Sequence, residues 1–229
     1  MESTVGMIKV AIIDYEMGNL FSVQHACEYV GLVPTVTKDP KEIMNSDAAI
    51  LPGVGAFAAA MNNLQRLDLI SCIHDFISTG KPFMGVCLGL QLLFTESEEF
   101  GASKGLGIID GQVLKFPYKN LSGKDVRVPQ IGWNKIYSGS GADSKDKWNK
   151  SPLRGVMNDE FMYFVHSFYT KPSSKETELS LTNYEGIEYC SSVIHKNIFA
   201  SQFHPEKSAL KGIKIYKNWA EDIKKHKGV

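Results

Sequence analysis

The sequence of 229 residues has few of the features that commit a chain to a disulfide scaffold or a metal site. It contains only four cysteines, with no C-x-x-C pair and no cysteine or histidine spacing typical of zinc. A chain of this length also buries enough apolar surface to need no disulfide. The length therefore favours a single domain, and the cysteine content favours a reducing cytoplasm with no metal.

Excess charge and long apolar runs are also absent. Lysine plus arginine and aspartate plus glutamate each number 25, so no net charge steers the chain toward nucleic acid or an anionic membrane. No run of apolar residues reaches the length that a membrane span requires. Residues 1–6 lack the basic and apolar regions of a signal peptide, so no targeting segment is expected.

The first third of the sequence alternates apolar strands with segments of helical period. Residues 8–14 and 48–51 are nearly continuous apolar runs, typical of parallel strands covered on both faces, and 34–37 reads as a shorter strand. Asn19 is predicted to cap a helix that ends before Gly31. Helices over 58–66 and 69–79 follow. This alternation predicts an α/β fold whose mostly parallel central sheet is flanked by helices.

The second half of the sequence predicts antiparallel strands added to that sheet. The apolar runs are short and are separated by glycines; they cover 112–116, 131–137, 161–168, 179–184, 189–195 and 198–203. A closing helix is predicted from Leu210 to Ile223. Residues 138–150 are rich in serine, glycine, aspartate and lysine without an apolar period, and we interpret them as a mobile surface loop with no chemistry.

Cys87 lies at the most informative point of the sequence, between Gly85 and Gly89, where an apolar strand meets a helical pattern. Glycines let the chain turn sharply and let neighbouring backbone approach, which predicts an exposed thiol at a nucleophile elbow. The start of the next helix favours a thiolate. Because a free cysteine is more often part of the core, a catalytic role requires a partner base.

His204 and Glu206 supply the missing partners. The histidine comes directly after a late strand, where an imidazole can enter a cleft, and the glutamate follows across a proline that restricts the turn. The carboxylate can then hold the imidazole in one orientation. A glycine turn, Gly53 to Gly55, ends an earlier strand and can present backbone N–H groups to an oxyanion. Together these residues predict a nucleophile, a base, an orienting acid and oxyanion donors.

The run Gly85-Val86-Cys87-Leu88-Gly89-Leu90-Gln91, with Gln202-Phe203-His204-Pro205-Glu206, resembles the class I, or triad, glutamine amidotransferases. Four further stretches are similar to the glutaminase subunits of imidazole glycerol phosphate synthase: 14–20, 52–57, 129–134 and 163–167. The resemblance spans roughly residues 8 to 225. It implies one amidotransferase domain over 8–229, preceded by a short extension, 1–7. Glu16 departs from the family, which commonly has a small residue there.

The resemblance implies the following roles. Cys87 is the nucleophile, His204 the general base and then acid, and Glu206 its orienting partner. The oxyanion hole and the glutamine site are formed by Gly53, Val54, Leu88, Gln91 and the backbone of Ser167 and Phe168. Four residues face a partner subunit: Asn19, Gln130, Trp133 and Lys207. The implied activity is glutamine hydrolysis that supplies ammonia to a separate cyclase/synthase subunit in histidine biosynthesis, with no cofactor.

Three other interpretations remain open from the sequence. The same glutaminase chemistry fits another amination, such as amidation of a surface-polysaccharide sugar by a different synthetase. A catalytically dead scaffold of this fold is a second interpretation, although the intact Cys87, His204 and Glu206 argue against it. A cysteine protease or amidase on a related elbow fold is the third, and it would need an open peptide groove instead of a small glutamine pocket.

Overall fold

A computed structural model describes residues 7–99, 101–139 and 142–228. The predicted extension at 1–7 therefore lies outside the described residues except for Met7. Among the described segments, no helix combines the length and apolar character that a membrane crossing requires. The helices are α1 Leu20–Tyr29, α2 Pro40–Met44, α3 Phe57–Arg66, α4 Leu69–Ser78, α5 Leu88–Leu92, α6 Ala142–Asn149 and α7 Ala209–Lys227, with a 3-10 turn over Pro205–Lys207.

Eleven of the strands in the described residues form one sheet, in the order β2-β1-β3-β4-β13-β12-β10-β7-β5-β6, with β11 paired to β12. Their bounds, together with the two strands outside that sheet, are β1 Lys9–Ile13, β2 Val33–Thr37, β3 Ala48–Leu51, β4 Phe83–Val86, β5 Phe94–Ser97, β6 Ser103–Lys104, β7 Ile109–Lys115, β8 Gln130–Ile136, β9 Glu160–His166, β10 Phe168–Pro172, β11 Glu178–Tyr184, β12 Ile187–His195 and β13 Ile198–Ser201.

The half of the sheet formed by β2, β1, β3, β4 and β13 is parallel throughout. Its inner strands β1, β3, β4 and β13 are almost entirely buried, because helices cover both faces, as the continuous apolar runs predicted. The carboxyl ends of β3, β4 and β13 therefore meet at one edge of the sheet. This edge carries the glycine turn, Cys87 and His204, and it is where open α/β sheets bind their ligands.

The second half adds antiparallel strands, as predicted, through the pairs β12–β13, β10–β12, β7–β10 and β11–β12. The fold-class prediction is therefore confirmed. One detail was wrong, because β8 and β9 pair only with each other and form a separate two-stranded sheet. A strand shows the same alternation of apolar and polar residues whichever sheet it joins, so the sequence did not reveal that β8 and β9 form a separate sheet.

Residues 138–150 were predicted as a loop, but most of that segment is helix α6, Ala142–Asn149. Trp148 anchors the helix: its side chain is buried, and its indole N–H donates to the Val156 carbonyl at 3.0 Å. Apart from Ala142, the other positions of the helix are polar or charged, so no apolar period was visible in the sequence. The buried Trp148 ring and the bond from Lys147 Nζ to the Glu176 carbonyl at 2.9 Å dock this helix.

Close backbone packing fixes the elbow between β4 and α5. A Cβ on Gly89 would lie 1.7 Å from the Leu51 carbonyl oxygen, and a Cβ on Gly85 would lie 2.9 Å from the Ala200 side chain. Both distances are shorter than non-bonded atoms tolerate. The two glycines are therefore required by the approach of β3, β13 and α5, and this packing places Cys87 at the sheet edge.

Candidate active site

Cys87 occupies the predicted elbow in a strained backbone conformation. Its φ of 55° and ψ of −107° lie in a region that non-glycine residues rarely adopt. Its N–H donates to the Ser201 carbonyl at 2.7 Å, which ties the elbow to the end of β13. The strain is thus held by the neighbouring strand, and it turns the thiol side chain out of the regular strand direction.

The prediction of an exposed thiol was wrong, since Cys87 is only 5% exposed. Its sulfur lies 3.9 Å from the Val165 carbonyl oxygen and 3.7 Å from Nε2 of Gln202, which donates to it. Strand β9 and the end of β13 therefore cover the thiol. A small substrate must enter between these elements, which argues against an open groove for a peptide.

His204 and Glu206 form the predicted pair. Nδ1 of the imidazole lies 2.8 Å from Oε1 of the carboxylate, and both side chains are almost fully buried. Burial alone would lower the pKa of His204, but the charge of Cys87 and the interactions with Cys87 and Glu206 raise it to about 10. An imidazolium therefore persists at neutral pH as the cationic neighbour of Cys87, and its Nε2 has no hydrogen-bond partner among the described residues.

The glycine turn lies against the elbow. The N–H of Leu88 donates to the carbonyl oxygen of Gly53 at 3.3 Å. Because a trans peptide directs its C=O and N–H to opposite sides, the N–H of Val54 points away from Leu88. The hydroxyl of Tyr15 donates to the Pro52 carbonyl at 2.8 Å and so fixes the beginning of this turn. In this conformation one predicted oxyanion donor is occupied by the turn itself and another faces away.

Glu16 stands next to Tyr15 in a left-handed conformation, with a φ of 65°. Its carboxylate forms ion pairs with Arg66, at the end of α3, and with Lys38, at 3.8 Å. All three side chains are substantially exposed, so these pairs add little stability. The conformation explains why small residues suit this position, and the ion pair with Arg66 shows that the loop before Asn19 lies near the end of α3.

Gln91 and Gln202 form a polar contact beneath the thiol that the sequence did not reveal. Nε2 of Gln91 donates to the Phe168 carbonyl at 2.9 Å and to Oε1 of Gln202 at 3.0 Å. Gln202 is fully buried at the end of an apolar run, and this unusual placement was the available sequence signal. The pair fixes Gln91 beside Ser167 and Phe168, as a shared glutamine site requires.

His166 is a second buried histidine near the site. Burial lowers its pKa to about 4, so the ring is neutral. Its Nδ1 lies 2.7 Å from the Phe168 carbonyl and must donate to it, which leaves Nε2 to accept from the Tyr189 hydroxyl at 3.2 Å. Tyr189 has no second proton, so Gln130, 3.0 Å away, must present its amide NH2 to the tyrosine oxygen.

The four predicted partner-facing residues do not share one environment. Asn19 caps α1, accepting from the Ser22 N–H at 3.4 Å, and it is half-buried. Trp133 and Lys207 are exposed. Gln130 is buried, so it cannot present its side chain to another subunit in this conformation. Gln130 is instead linked to the site inside the protein, through hydrogen bonds that run from it to Tyr189, then to His166 and then to the Phe168 carbonyl.

A cavity of about 650 Å³ adjoins Ser167 and Phe168 and includes Glu98 and Glu99 in its lining. Each carboxylate has one oxygen engaged by a backbone N–H: Glu98 accepts from Lys115, and Glu99 accepts from Phe57 at 2.5 Å. These two acids were not singled out from the sequence. They place two carboxylates beside the backbone that, according to the family resemblance, binds the α-carboxylate of glutamine.

The thiols offer a direct test of the elbow. Burial raises the pKa of Cys27, Cys72 and Cys190, which holds these three thiols neutral. We expect iodoacetamide at pH 7 to label Cys87 at least ~10-fold faster than any other cysteine. Cys72 is the internal control, because it is as accessible as Cys87, at 6% against 5% exposed. Peptide mapping by mass spectrometry gives the rates, and equal labelling of Cys72 and Cys87 would contradict the assignment.

The fold and this geometry agree with comparisons to known proteins. The family model described as "Glutamine amidotransferase class-I" matches residues 11–222. A Thermotoga maritima structure described as PurLQS shares the fold, with a TM-score of 0.66 at 18% identity over 96% of this chain and 99% of that one. The chain is thus a class I glutamine amidotransferase.

Its sequence relatives narrow the assignment. The chain is 44% identical over 215 residues to the "Imidazole glycerol phosphate synthase subunit HisH" of Geobacter metallireducens, covering 93% of this chain and 98% of that protein. It is also 44% identical over 222 residues to the protein of that name in Prochlorococcus marinus, covering 96% and 100%. The chain belongs to the HisH family.

Proposed function

We propose that the chain hydrolyses the side-chain amide of glutamine and passes the ammonia to a separate synthase subunit in histidine biosynthesis. The observation that carries the proposal is the buried His204–Glu206 pair, whose imidazolium acts on Cys87 at the elbow. The whole domain, 8–229, is expected to act as one unit. The free state of all four cysteines supports the cytoplasm as its location.

The proposed reaction begins when the sulfur of Cys87 attacks the amide carbon of glutamine. The tetrahedral intermediate carries negative charge on the former carbonyl oxygen, which the N–H groups of Leu88 and of the Gly53–Val54 turn would stabilise. His204 gives its Nε2 proton to the departing ammonia and leaves a thioester on Cys87. It then takes a proton from the water that releases glutamate, while Glu206 keeps the ring oriented.

Glutamine would be held by its α-carboxylate and by its α-ammonium group. The N–H groups of Ser167 and Phe168 are proposed to bind the α-carboxylate, and Gln91, fixed by its bonds to Phe168 and Gln202, contacts the substrate. Glu98 and Glu99 line the adjoining cavity and suit the α-ammonium group. This arrangement selects a free amino acid over a peptide, because a peptide bond removes both charges.

The partner is proposed to dock on the outer face of the β8–β9 sheet. Ile131 and Trp133 are 64% and 53% exposed, and they stand opposite Val165 and Tyr163 in the strand register. Such a continuous apolar patch marks an interaction site. The Trp133 ring makes an edge contact with Tyr163, whose own ring lies 6.5 Å from that of His204, so the docked partner would lie beside the triad.

The test mixes the chain with the cyclase/synthase subunit of the same organism and measures their affinity and the release of glutamate. Trp133→Ala should weaken binding by at least ~30-fold, the loss expected for a central interface tryptophan. Tyr29→Ala is the matched control: this aromatic residue is 73% exposed but lies at the far end of α1. Equal losses in both variants would reject the docking face. Binding to a different synthetase instead would favour another amination.

A further inference from the structure

Two buried polar atoms without a hydrogen-bond partner among the described residues occur behind the triad, away from Cys87. One is Oε2 of Glu206, the carboxylate oxygen that does not contact His204, and the other is the hydroxyl oxygen of Tyr216. Both side chains are almost completely buried. A buried ionised carboxylate with one oxygen unsatisfied is costly, so a donor for Oε2 is expected nearby.

Helix α7 brings Tyr216 toward Glu206. Gly212 and Tyr216 are four residues apart and so share one face of the helix. On that face the helix lies directly on the 3-10 turn, because a Cβ on Gly212 would be only 1.8 Å from the Pro205 carbonyl oxygen. Glu206 is the next residue in that turn. The negative charge of Glu206, after burial itself, also raises the pKa of Tyr216, which places the two groups within electrostatic reach.

Cys27 of α1 is the competing donor. Burial, with smaller contributions from the charges of Glu28 and Glu206, raises the pKa of its thiol, so Cys27 is also within electrostatic reach of the carboxylate. A thiol is a weak hydrogen-bond donor, whereas a phenolic O–H is a strong one, and Tyr216 has its hydroxyl free to donate. The tyrosine is therefore the better partner for Oε2.

We propose that Tyr216 is a positioning residue for the triad, whose hydroxyl donates to Oε2 of Glu206 directly after a small rotation or through one buried water. This bond keeps Oε1 of the carboxylate aimed at Nδ1 of His204. The inference rests on the proposed role of Glu206 in glutamine hydrolysis. Tyr216 itself touches neither glutamine nor Cys87 in this role.

The test is Tyr216→Phe, which removes one oxygen and keeps the ring. Glutamate release is measured with the cyclase/synthase subunit and imidazole glycerol phosphate present. We expect kcat to fall ~10-fold, which corresponds to the free energy of one hydrogen bond to a charged group, while KM for glutamine is unchanged. Ile215→Val is the matched control, since it removes a methylene group from the neighbouring, equally buried position and should leave kcat unchanged. An unchanged kcat in Tyr216→Phe would overturn the proposal.

A double-mutant cycle separates positioning from general packing. In a Glu206→Ala background no carboxylate remains to be positioned, so Tyr216→Phe should alter kcat less than ~2-fold. The same ~10-fold loss in both backgrounds would overturn the proposal. If Tyr216→Phe alone does not fold, the Glu206→Ala/Tyr216→Phe double variant should fold, because it no longer buries an unpaired carboxylate. A double variant that also fails to fold would overturn the proposal. If Glu206→Ala alone retains full activity, the proposed triad fails and this inference fails with it, a result independent of Tyr216.

Discussion

Cys87→Ala should reduce glutamine-dependent synthesis by the complex on the order of 10⁶-fold, as loss of a nucleophile does in other covalent enzymes. Synthesis from added ammonium should be unchanged. The two activities should respond differently because of where Cys87 lies. It lies beneath β9 and Gln202, away from the exposed β8–β9 face on which the partner is proposed to dock. Its removal therefore deletes the sulfur that attacks glutamine while the docking surface remains.

The measurement is imidazole glycerol phosphate formation by the assembled complex, with glutamine or with ammonium chloride as the nitrogen source. Cys72→Ala is the matched control, because that thiol is equally buried but belongs to helix α4, and both activities should survive there. Loss of ammonium-dependent turnover in Cys87→Ala would show that the cysteine supports the complex structurally. Retention of glutamine-dependent turnover would remove Cys87 from the mechanism altogether.

The parallel half of the fold and the elbow were predictable because each is encoded locally. Continuous apolar runs identified β1 and β3, Asn19 and Gly31 bounded α1, and the glycines around Cys87 marked a place where backbone must approach closely. The His204–Glu206 contact was predictable for the same reason, since two residues separated by one proline can meet without help from the rest of the chain.

Features that depend on distant residues were not predictable. The burial of Cys87 comes from β9 and Gln202, far later in the sequence, and α6 docks through a tryptophan whose partner carbonyl lies outside the helix. Tyr216 becomes important only because the second oxygen of Glu206 lacks a partner, and a tyrosine in an apolar helix face carries no separate signal in the sequence. Polar residues buried by long-range packing are therefore the part of such a site that sequence patterns leave out.

The isolated chain should be a poor glutaminase, and the docked partner with its ligand should raise glutamate release ~100- to 1000-fold. The structure has the Leu88 N–H bound to the Gly53 carbonyl at 3.3 Å, with the Val54 N–H turned away. Rotation of the Gly53–Val54 peptide would free the first donor and bring in the second. One oxyanion donor is worth ~3–4 kcal/mol, so this single rotation is large enough to supply the whole increase.

Three glutamate-release assays test this switch: the chain alone, with the cyclase/synthase subunit, and with that subunit plus imidazole glycerol phosphate. Alkylation of Cys87 by iodoacetamide serves as the control reaction, because displacement of iodide creates no oxyanion and needs no oxyanion hole. Its rate should change less than ~10-fold across the three states, since the His204 imidazolium is present in all of them. If alkylation rose in parallel with glutamate release, the partner would be activating the thiol instead of the peptide. If the isolated chain already matched the liganded complex, the conformation of Gly53 and Val54 would not limit the reaction.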